Sequence, residues 1–252
     1  MTSVGAAGLA LTGERTAPGI PQENYWFRRH QAAYLHLAAY CTEAVVLDAG
    51  CGEGYGAALL ARTARLVLAL DYDQRTTEHV AHRYPELGTA RGNLAALPYG
   101  ESTVDVVANL QVIEHLWDQS GFLAECTRVL RPGGRLLVTT PNRLTFSPGR
   151  DTPLNPFHTR ELAAAELADL LGKAGFTVQV LAGLHHGPQL RALDGAHGGS
   201  VVDAQIAAAL HDSWPPQLLA DVAAVRVDDF TVHLDDRDID ASLDLLAVAT
   251  TR

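Results

Sequence analysis

The sequence predicts an α/β fold: a mostly parallel, seven-stranded sheet with helices on both faces and a helical insertion before the last strand. Three observations carry this. Short β-branched runs stop at glycines or acids, as buried strands do. Helix-like segments alternate with them, which makes neighbouring strands parallel and covers both faces of the sheet. The chain has 252 residues, 47% hydrophobic and 19% charged, enough for one large domain with its own core.

The elements follow in order. Residues 1–19 are rich in Gly, Ala and Thr and read as mobile at their start. Residues 22–40 read as a helix whose apolar positions are Trp26, Phe27, Tyr34, Leu35 and Leu37. Strand one spans 45–48, followed by a helix over 57–64. Strand two spans 66–70 and ends on Asp71; the helix over 74–84 is closed by Pro85. A weak third strand covers 89–92 and a strong fourth 104–110. A helix over 120–130 stops at Arg131-Pro132-Gly133-Gly134, and strand five covers 135–139. The Pro-rich loop 140–158 is long for a compact domain, and such loops are usually functional. A helix over 159–174 capped by Thr159, strand six at 177–182 and strand seven at 243–249 complete the sheet. Between the last two strands, 183–240 is too long for a hairpin. It carries helices at 201–210 and 217–225 and reads as an insertion folding over the sheet.

Composition excludes several classes of protein. Lys and Arg number 19 against 29 Asp and Glu, a formal net charge of -10. Such a surface is a poor match for a phosphate backbone, so no nucleic-acid partner is expected. Cys41, Cys51 and Cys126 are odd in number and far apart, which gives no disulfide framework and suits a reducing cytoplasm. The chain start lacks the basic and apolar regions of a signal peptide. No run of about 18 apolar residues predicts a membrane span.

Ligands of such sheets bind beyond the carboxyl ends of the strands. The first of these ends carries Gly50-x-Gly52-x-Gly54-x-Gly56. A glycine turn lets a ligand approach the backbone closely. The third glycine departs from dinucleotide spacing. Asp48 would repel a pyrophosphate but attract an ammonium. Asp71 lies about twenty residues on, where a carboxylate can accept both ribose hydroxyls. A bare glycine turn and an NAD site are the alternatives.

The run from Val45 to Gly56, with Asp71 and Asn93-Leu94, resembles motif I and its partners in the Rossmann-like class I S-adenosylmethionine-dependent methyltransferases. The resemblance implies that the backbone around Gly50 and Gly52 holds the methionine moiety, Asp71 the ribose and Asn93-Leu94 the adenine. Asp48, Cys51, Tyr72 and Gln111 complete that expected set. Residues 23–30 resemble an aromatic-arginine helix that covers the cofactor, with Arg28 approaching its carboxylate. The alternative is an amphipathic helix docked through Trp26 and Phe27. The expected organisation is therefore a covering segment over 1–43 and a methyltransferase domain over 44–252, with 183–240 covering the acceptor.

Residues 111–117 resemble the post-strand segment of small-molecule O-methyltransferases, including the ubiquinone-pathway type. Glu114 and His115 there can take a proton from an acceptor hydroxyl, or hold a divalent ion, Mg2+, that polarises it. The metal-bearing version has an acid three residues before the Glu, where this chain has Gln111. The alternative is a helix start, with Glu114 stabilised by the macrodipole and His115 packed. His158 is the best single candidate for a general base, with an unperturbed pKa of about 6.5. It competes with a histidine that only supports the loop. His185-His186 and His197 match no structural zinc spacing and read as part of a flexible substrate cover. Asp235-Asp236-Arg237-Asp238 with Asp240 reads as a solvated turn.

From Thr12 onward the chain resembles, more specifically, the mycobacterial sugar 1-O-methyltransferases of methylmannose polysaccharide synthesis. Residues 12–16, 23–30, 111–119, 145–153, 197–200 and 237–240 carry this. It implies a small carbohydrate acceptor, a short 3-O-methylated mannoside methylated on its anomeric hydroxyl. The residues by themselves reach only a neutral, small, hydroxylated acceptor, with Trp117, Phe146 and Phe157 as candidates to stack on sugar faces. O-methylation of a quinone or phenol and a non-catalytic cofactor-binding regulator remain the other readings, and a homodimer remains open.

Overall fold

The computed structural model describes residues 15–233 and 238–251. Its elements are α1 (Asn24–Leu37), β1 (Val45–Ala49), α2 (Tyr55–Leu60), β2 (Leu66–Asp71), α3 (Gln74–Arg83), β3 (Gly88–Arg91), β4 (Val104–Leu110), α4 (Gln119–Val129) and β5 (Leu130–Pro141). They continue as α5 (Arg143–Phe146), α6 (Ala164–Lys173), β6 (Thr177–His186), α7 (Pro188–Ala196), α8 (Val201–Leu210), α9 (Pro216–Ala224), β7 (Phe230–His233) and β8 (Asp244–Thr250). The expectations for residues 1–14 and for Asp235, Asp236 and Arg237 concern positions outside the described residues.

One sheet runs in the order β3-β2-β1-β4-β5-β8-β6-β7. The expected seven strands are thus eight among the described residues, and the sheet is mixed. β1 to β5 pair in parallel, whereas β8 is antiparallel to both β5 and β6, and β7 is antiparallel to β6. The extra strand also explains why β6 runs past residue 182. Gly183 to His186 are held extended by pairing with His233 to Phe230.

Side chains of successive strand residues alternate between the two faces. Val46, Val106, Leu137 and Leu246 face α1 and the insertion, packing with Tyr25, Tyr34, Leu37, Leu190, Val201 and Val222. Leu47, Val107, Leu136 and Leu245 face the other way, against Phe122 and Leu123 of α4 and Leu167 and Leu171 of α6. Arg29 ties α1 to the last strand. Its Nε and Nη2 donate to the two carboxylate oxygens of Asp244 at 2.7 and 2.6 Å, and both residues are buried.

Three local expectations change. Residues 130–134 belong to β5 rather than to a turn. Leu130 pairs with Val104 before the register shifts. α6 starts at Ala164, not near Thr159; its first turn is closed by Glu166, whose Oε2 accepts from Ala163 N at 2.7 Å. The insertion holds one helix more than expected, α7, which opens on Pro188. Among the described residues, no helix is long and apolar enough to cross a membrane.

β1 and β4 lie side by side, and the chain leaves them toward opposite edges of the sheet. A crevice opens at the carboxyl ends of strands at such a switch point. The candidate site sits there.

Candidate active site

Beyond Ala49 the chain turns through Gly50 and Gly52 at φ of 94° and 52°. Both lie in the left-handed region that glycine enters without penalty. A Cβ on Gly50 would stand 2.7 Å from the Val112 side chain, and one on Gly56 2.1 Å from the Tyr34 ring. The glycines therefore let the turn press against α1 and against the segment after β4. Gly50 N and Cys51 N both donate to Leu70 O at 2.9 Å. Gly52 N donates to Asp71 Oδ2 at 3.1 Å and Asp73 N to Asp71 Oδ1 at 3.0 Å. These two bonds leave further acceptor capacity on each carboxylate oxygen. Burial pushes the Asp71 carboxyl above the usual range.

This turn is one wall of a cavity of about 500 Å³. Gly50, Cys51, Gly52, Asp71, Tyr72, Leu94, Gln111 and His115, all expected from the sequence, line it. So do His30, from the helix expected to cover the cofactor, and Trp117, a candidate to stack on a sugar, together with Arg15, Thr16, Tyr34 and Tyr55, which no local motif marked for the cavity. Trp117 stands 93% exposed at the rim. Burial holds the His30 imidazole down at about 4. Gln111, a non-glycine residue at φ 59°, is held by its own N donating to Thr139 O at 2.8 Å. Residues held in such conformations cluster at functional sites.

Three expected cofactor contacts do not line the cavity. Asp48 is completely buried behind the turn, where the Tyr34 hydroxyl reaches its two oxygens at 3.3 and 3.4 Å. Burial raises its carboxyl to about 7. Asn93 is exposed and accepts from Ala95 N at 2.9 Å. Arg28 lies over the Phe27 ring and donates to Gln31 Oε1 at 2.7 Å. On α1 the cavity face is that of His30 and Tyr34, four residues apart, and Arg28 falls off it. The arginine that does line the cavity is Arg15, anchored on Thr76 Oγ1 at 2.7 Å.

Glu114 and His115 lie on the short 3-10 turn Ile113–His115 after β4. His158 is brought to them from the long loop by a seam of hydrogen bonds. Thr159 N and Arg160 N donate to Glu114 O at 2.7 and 3.2 Å, and Thr159 Oγ1 donates to Leu116 O at 2.7 Å. Thr159 is thus spent on this tertiary contact rather than on capping a helix. His115 and His158 meet edge to face, with ring centroids 4.8 Å apart. The ligand atoms of Glu114, His115 and His158 all lie within 4.8 Å of one another.

The tautomers follow from the partners. Phe157 O can only accept, so His115 Nδ1, 3.0 Å away, carries the proton and Nε2 the lone pair in the neutral ring. His158 Nδ1 lies 2.7 Å from Glu161 Oε1, and its Nε2 lies 3.1 Å from Asn155 Nδ2, so both of its nitrogens are engaged. Glu114 is 1% exposed, accepts from Thr140 Oγ1 at 3.1 Å, and is raised by burial to about 8. His158 and Glu114, unlike His115, do not line the cavity.

A family model described as a methyltransferase domain matches residues 47–138. Over 245 residues the chain is 61% identical to a Mycolicibacterium smegmatis protein named "Probable S-adenosylmethionine-dependent methyltransferase", covering 96% of this chain and 95% of that one. A solved SAM-dependent methyltransferase from Thermotoga maritima superposes with a TM-score of 0.62 over 90% of this chain and 93% of its own. Its 18% identity speaks for the fold alone. A ubiquinone biosynthesis O-methyltransferase of Methylocella silvestris is 38% identical over 103 residues, 39% of this chain and 40% of that protein. Near-complete coverage at that first identity agrees with the glycine turn and with Asp71 at the end of β2: the chain belongs to the S-adenosylmethionine-dependent methyltransferases.

Proposed function

We propose that the enzyme methylates the anomeric hydroxyl of a short 3-O-methylated mannoside, capping an early precursor in methylmannose polysaccharide assembly. The observation that carries O-methylation is His115. Its ring stands in the wall of the cofactor cavity with its tautomer set by Phe157 O. The sugar rests on the segment resemblance in residues 23–30, 111–119, 145–153 and 197–200.

The cavity residues fit S-adenosylmethionine. Gly52 faces open space, where an added Cβ would meet only Arg15 Cβ at 4.0 Å. Backbone at Gly50, Cys51 and Gly52 would hold the methionine part, with Arg15 at its carboxylate. Asp71 and Tyr72 would take the ribose, and Leu94 the adenine. When bound, the cofactor supplies an electrophilic methyl group on a sulfonium. The chain must then chiefly align an acceptor oxygen. His115 Nε2 takes the hydroxyl proton. A base placed in this way contributes about 10²–10⁴-fold. His158, edge-on to His115 and locked by Glu161 and Asn155, is a positioning residue in this reading. Glu114, kept protonated at neutral pH by burial, spares the site a buried anion, while its carbonyl anchors Thr159.

The residues do not fit Mg2+. That ion prefers oxygen ligands in octahedral geometry and keeps several waters. Here the donors are two imidazoles and a buried, neutral carboxyl, and both nitrogens of His158 are already engaged.

Labelled cofactor should transfer label to 3-O-methylmannosides with a free anomeric hydroxyl. Equal labelling of a 1-O-blocked sugar would overturn the reading. The partial likeness to a ubiquinone biosynthesis O-methyltransferase keeps a second acceptor class in play. Turnover of quinols or phenols without turnover of sugars would establish it.

A further inference from the structure

His115 owes its tautomer to Phe157 O, and that carbonyl is itself aimed by a chain of hydrogen bonds. Residues 155–158 form a turn in which His158 N donates to Asn155 O at 3.0 Å. Pro156 stands at the second position of the turn, which suits its fixed φ. Asn155 Oδ1 accepts from Phe157 N at 3.0 Å, and this bond settles which way the amide faces. Asn155 Nδ2, which can only donate, therefore meets His158 Nε2 at 3.1 Å. His158 Nε2 then carries a lone pair, and its Nδ1–H donates to Glu161 Oε1 at 2.7 Å. The donors and acceptors admit one consistent order, from Glu161 through His158 and the Asn155 amide to the turn that presents Phe157 O to His115. We propose that Glu161 is a positioning residue for the reaction: it fixes His158 and the 155–158 turn so that Phe157 O keeps His115 protonated on Nδ1 and bare on Nε2. This rests on His115 as the base.

Glu161 is the fixed end of the chain. The backbone on either side of it is tied to the core: Arg160 O accepts from Gln119 Nε2 and Leu162 O from Arg143 N, both at 3.1 Å. Leu162 is fully buried. The turn, by contrast, belongs to the long 140–158 loop and has Phe157 exposed. Without an anchor on the core, nothing in the loop's own sequence would hold the Phe157 carbonyl against His115.

The choice of a carboxylate is informative. The Glu161 side chain is 1% exposed, yet its Oε2 has no hydrogen-bond partner among the described residues. A buried polar atom left unpaired carries a penalty and calls for a reason. The reason here is direction. A carboxylate only accepts, so it imposes the Nδ1–H form on His158. A glutamine could instead turn its NH2 to His158 and reverse the chain. His158 would then present Nε2–H to the Asn155 amide, which could answer it only by giving up Phe157 N. A pair that merely stapled the loop to the core would not need the Asn155 amide in this orientation.

Nitrogen-15 spectra of histidine-labelled enzyme test this by reading the tautomer of His115, whose signals are those lost in His115→Ala. With the ring neutral, the wild type should show Nδ1 protonated and Nε2 bare. Glu161→Ala should shift His115 toward the other form. It should also lower kcat on a 3-O-methylmannoside about tenfold, the scale of one net hydrogen bond, with the KM for S-adenosylmethionine unchanged. Glu161→Gln, which still offers an acceptor, should lie between the two. If Glu161→Ala does not fold, Asn155→Ala, on the loop, should give the same shift and decides in its place. A wild type protonated on Nε2, a wild-type tautomer in the alanine variant, or a Glu161→Gln no closer to the wild type than Glu161→Ala overturns the inference. A changed tautomer with unchanged kcat upholds the chain and overturns His115 as the base. If the wild type does not methylate the mannoside, the proposed acceptor falls, and the spectra alone decide the role of Glu161.

Discussion

Replacing Asp48 by Asn should stabilise the protein by an amount that grows with pH. Asp48 is fully buried, and its contact is the Tyr34 hydroxyl at 3.3–3.4 Å. Burial raises its carboxyl from 3.8 to about 7, because the charged form is lost from water without a cation to replace it. The folded protein therefore holds this proton where the unfolded chain releases it. A raised folded pKa contributes stability that is complete below the unfolded value and is lost as pH rises through the folded one. At about 1.36 kcal/mol per pH unit, the loss between 3.8 and about 7 is roughly 4 kcal/mol. Asn is neutral throughout and can still accept from Tyr34. The variant and the wild type should thus differ least near pH 4, and the variant should gain roughly 4 kcal/mol by pH 8. For a chain of this size that is roughly 8–16 °C in Tm. Urea unfolding of both proteins from pH 4.5 to 8.5 measures the gap. A gap independent of pH, or a variant less stable at pH 8, would refute the reasoning and mean that Asp48 is ionised and paired in the folded protein.

Arg29→Ala leaves the Asp244 carboxylate buried without its cation and should cost about 3–5 kcal/mol in denaturant unfolding, most of it recovered by Arg29→Met with Asp244→Leu. His115→Ala should lower kcat by about 10²–10⁴ with little change in cofactor affinity, and more than His158→Ala does; equal losses would sink the base assignment. Gly50→Ala places a methyl group 2.7 Å from Val112 at a positive φ and should cost about 1–3 kcal/mol together with cofactor binding, read by titration calorimetry. Exhaustive dialysis against EDTA should leave turnover unchanged, whereas a loss restored by added Mg2+ would show that the histidine cluster takes a metal after all.

The residues most legible in the sequence were those whose physics is local. β-branched runs marked β1 and β4, helical periodicity marked α8 at its observed bounds, and glycine spacing with an acid at the end of β2 marked a turn that walls the cavity. Each signal is contained in a few neighbouring residues. The four residues of β7 gave no such signal, because a short strand forms only when β6 is there to pair with it. Arg28 misses the cavity because the packing of α1 against the sheet decides which of its faces looks inward, and Arg15, which precedes α1, lines it from its anchor on Thr76. Asp48 shows the same division. Its place before the glycines is plain in the sequence, but whether a carboxylate there meets a ligand or a tyrosine depends on what packs behind the turn. The pairing of His115 with His158 belongs wholly to the tertiary structure. Forty-three residues separate them, and they meet because the Glu114 carbonyl captures Thr159, a hydrogen bond between distant segments that no local pattern encodes.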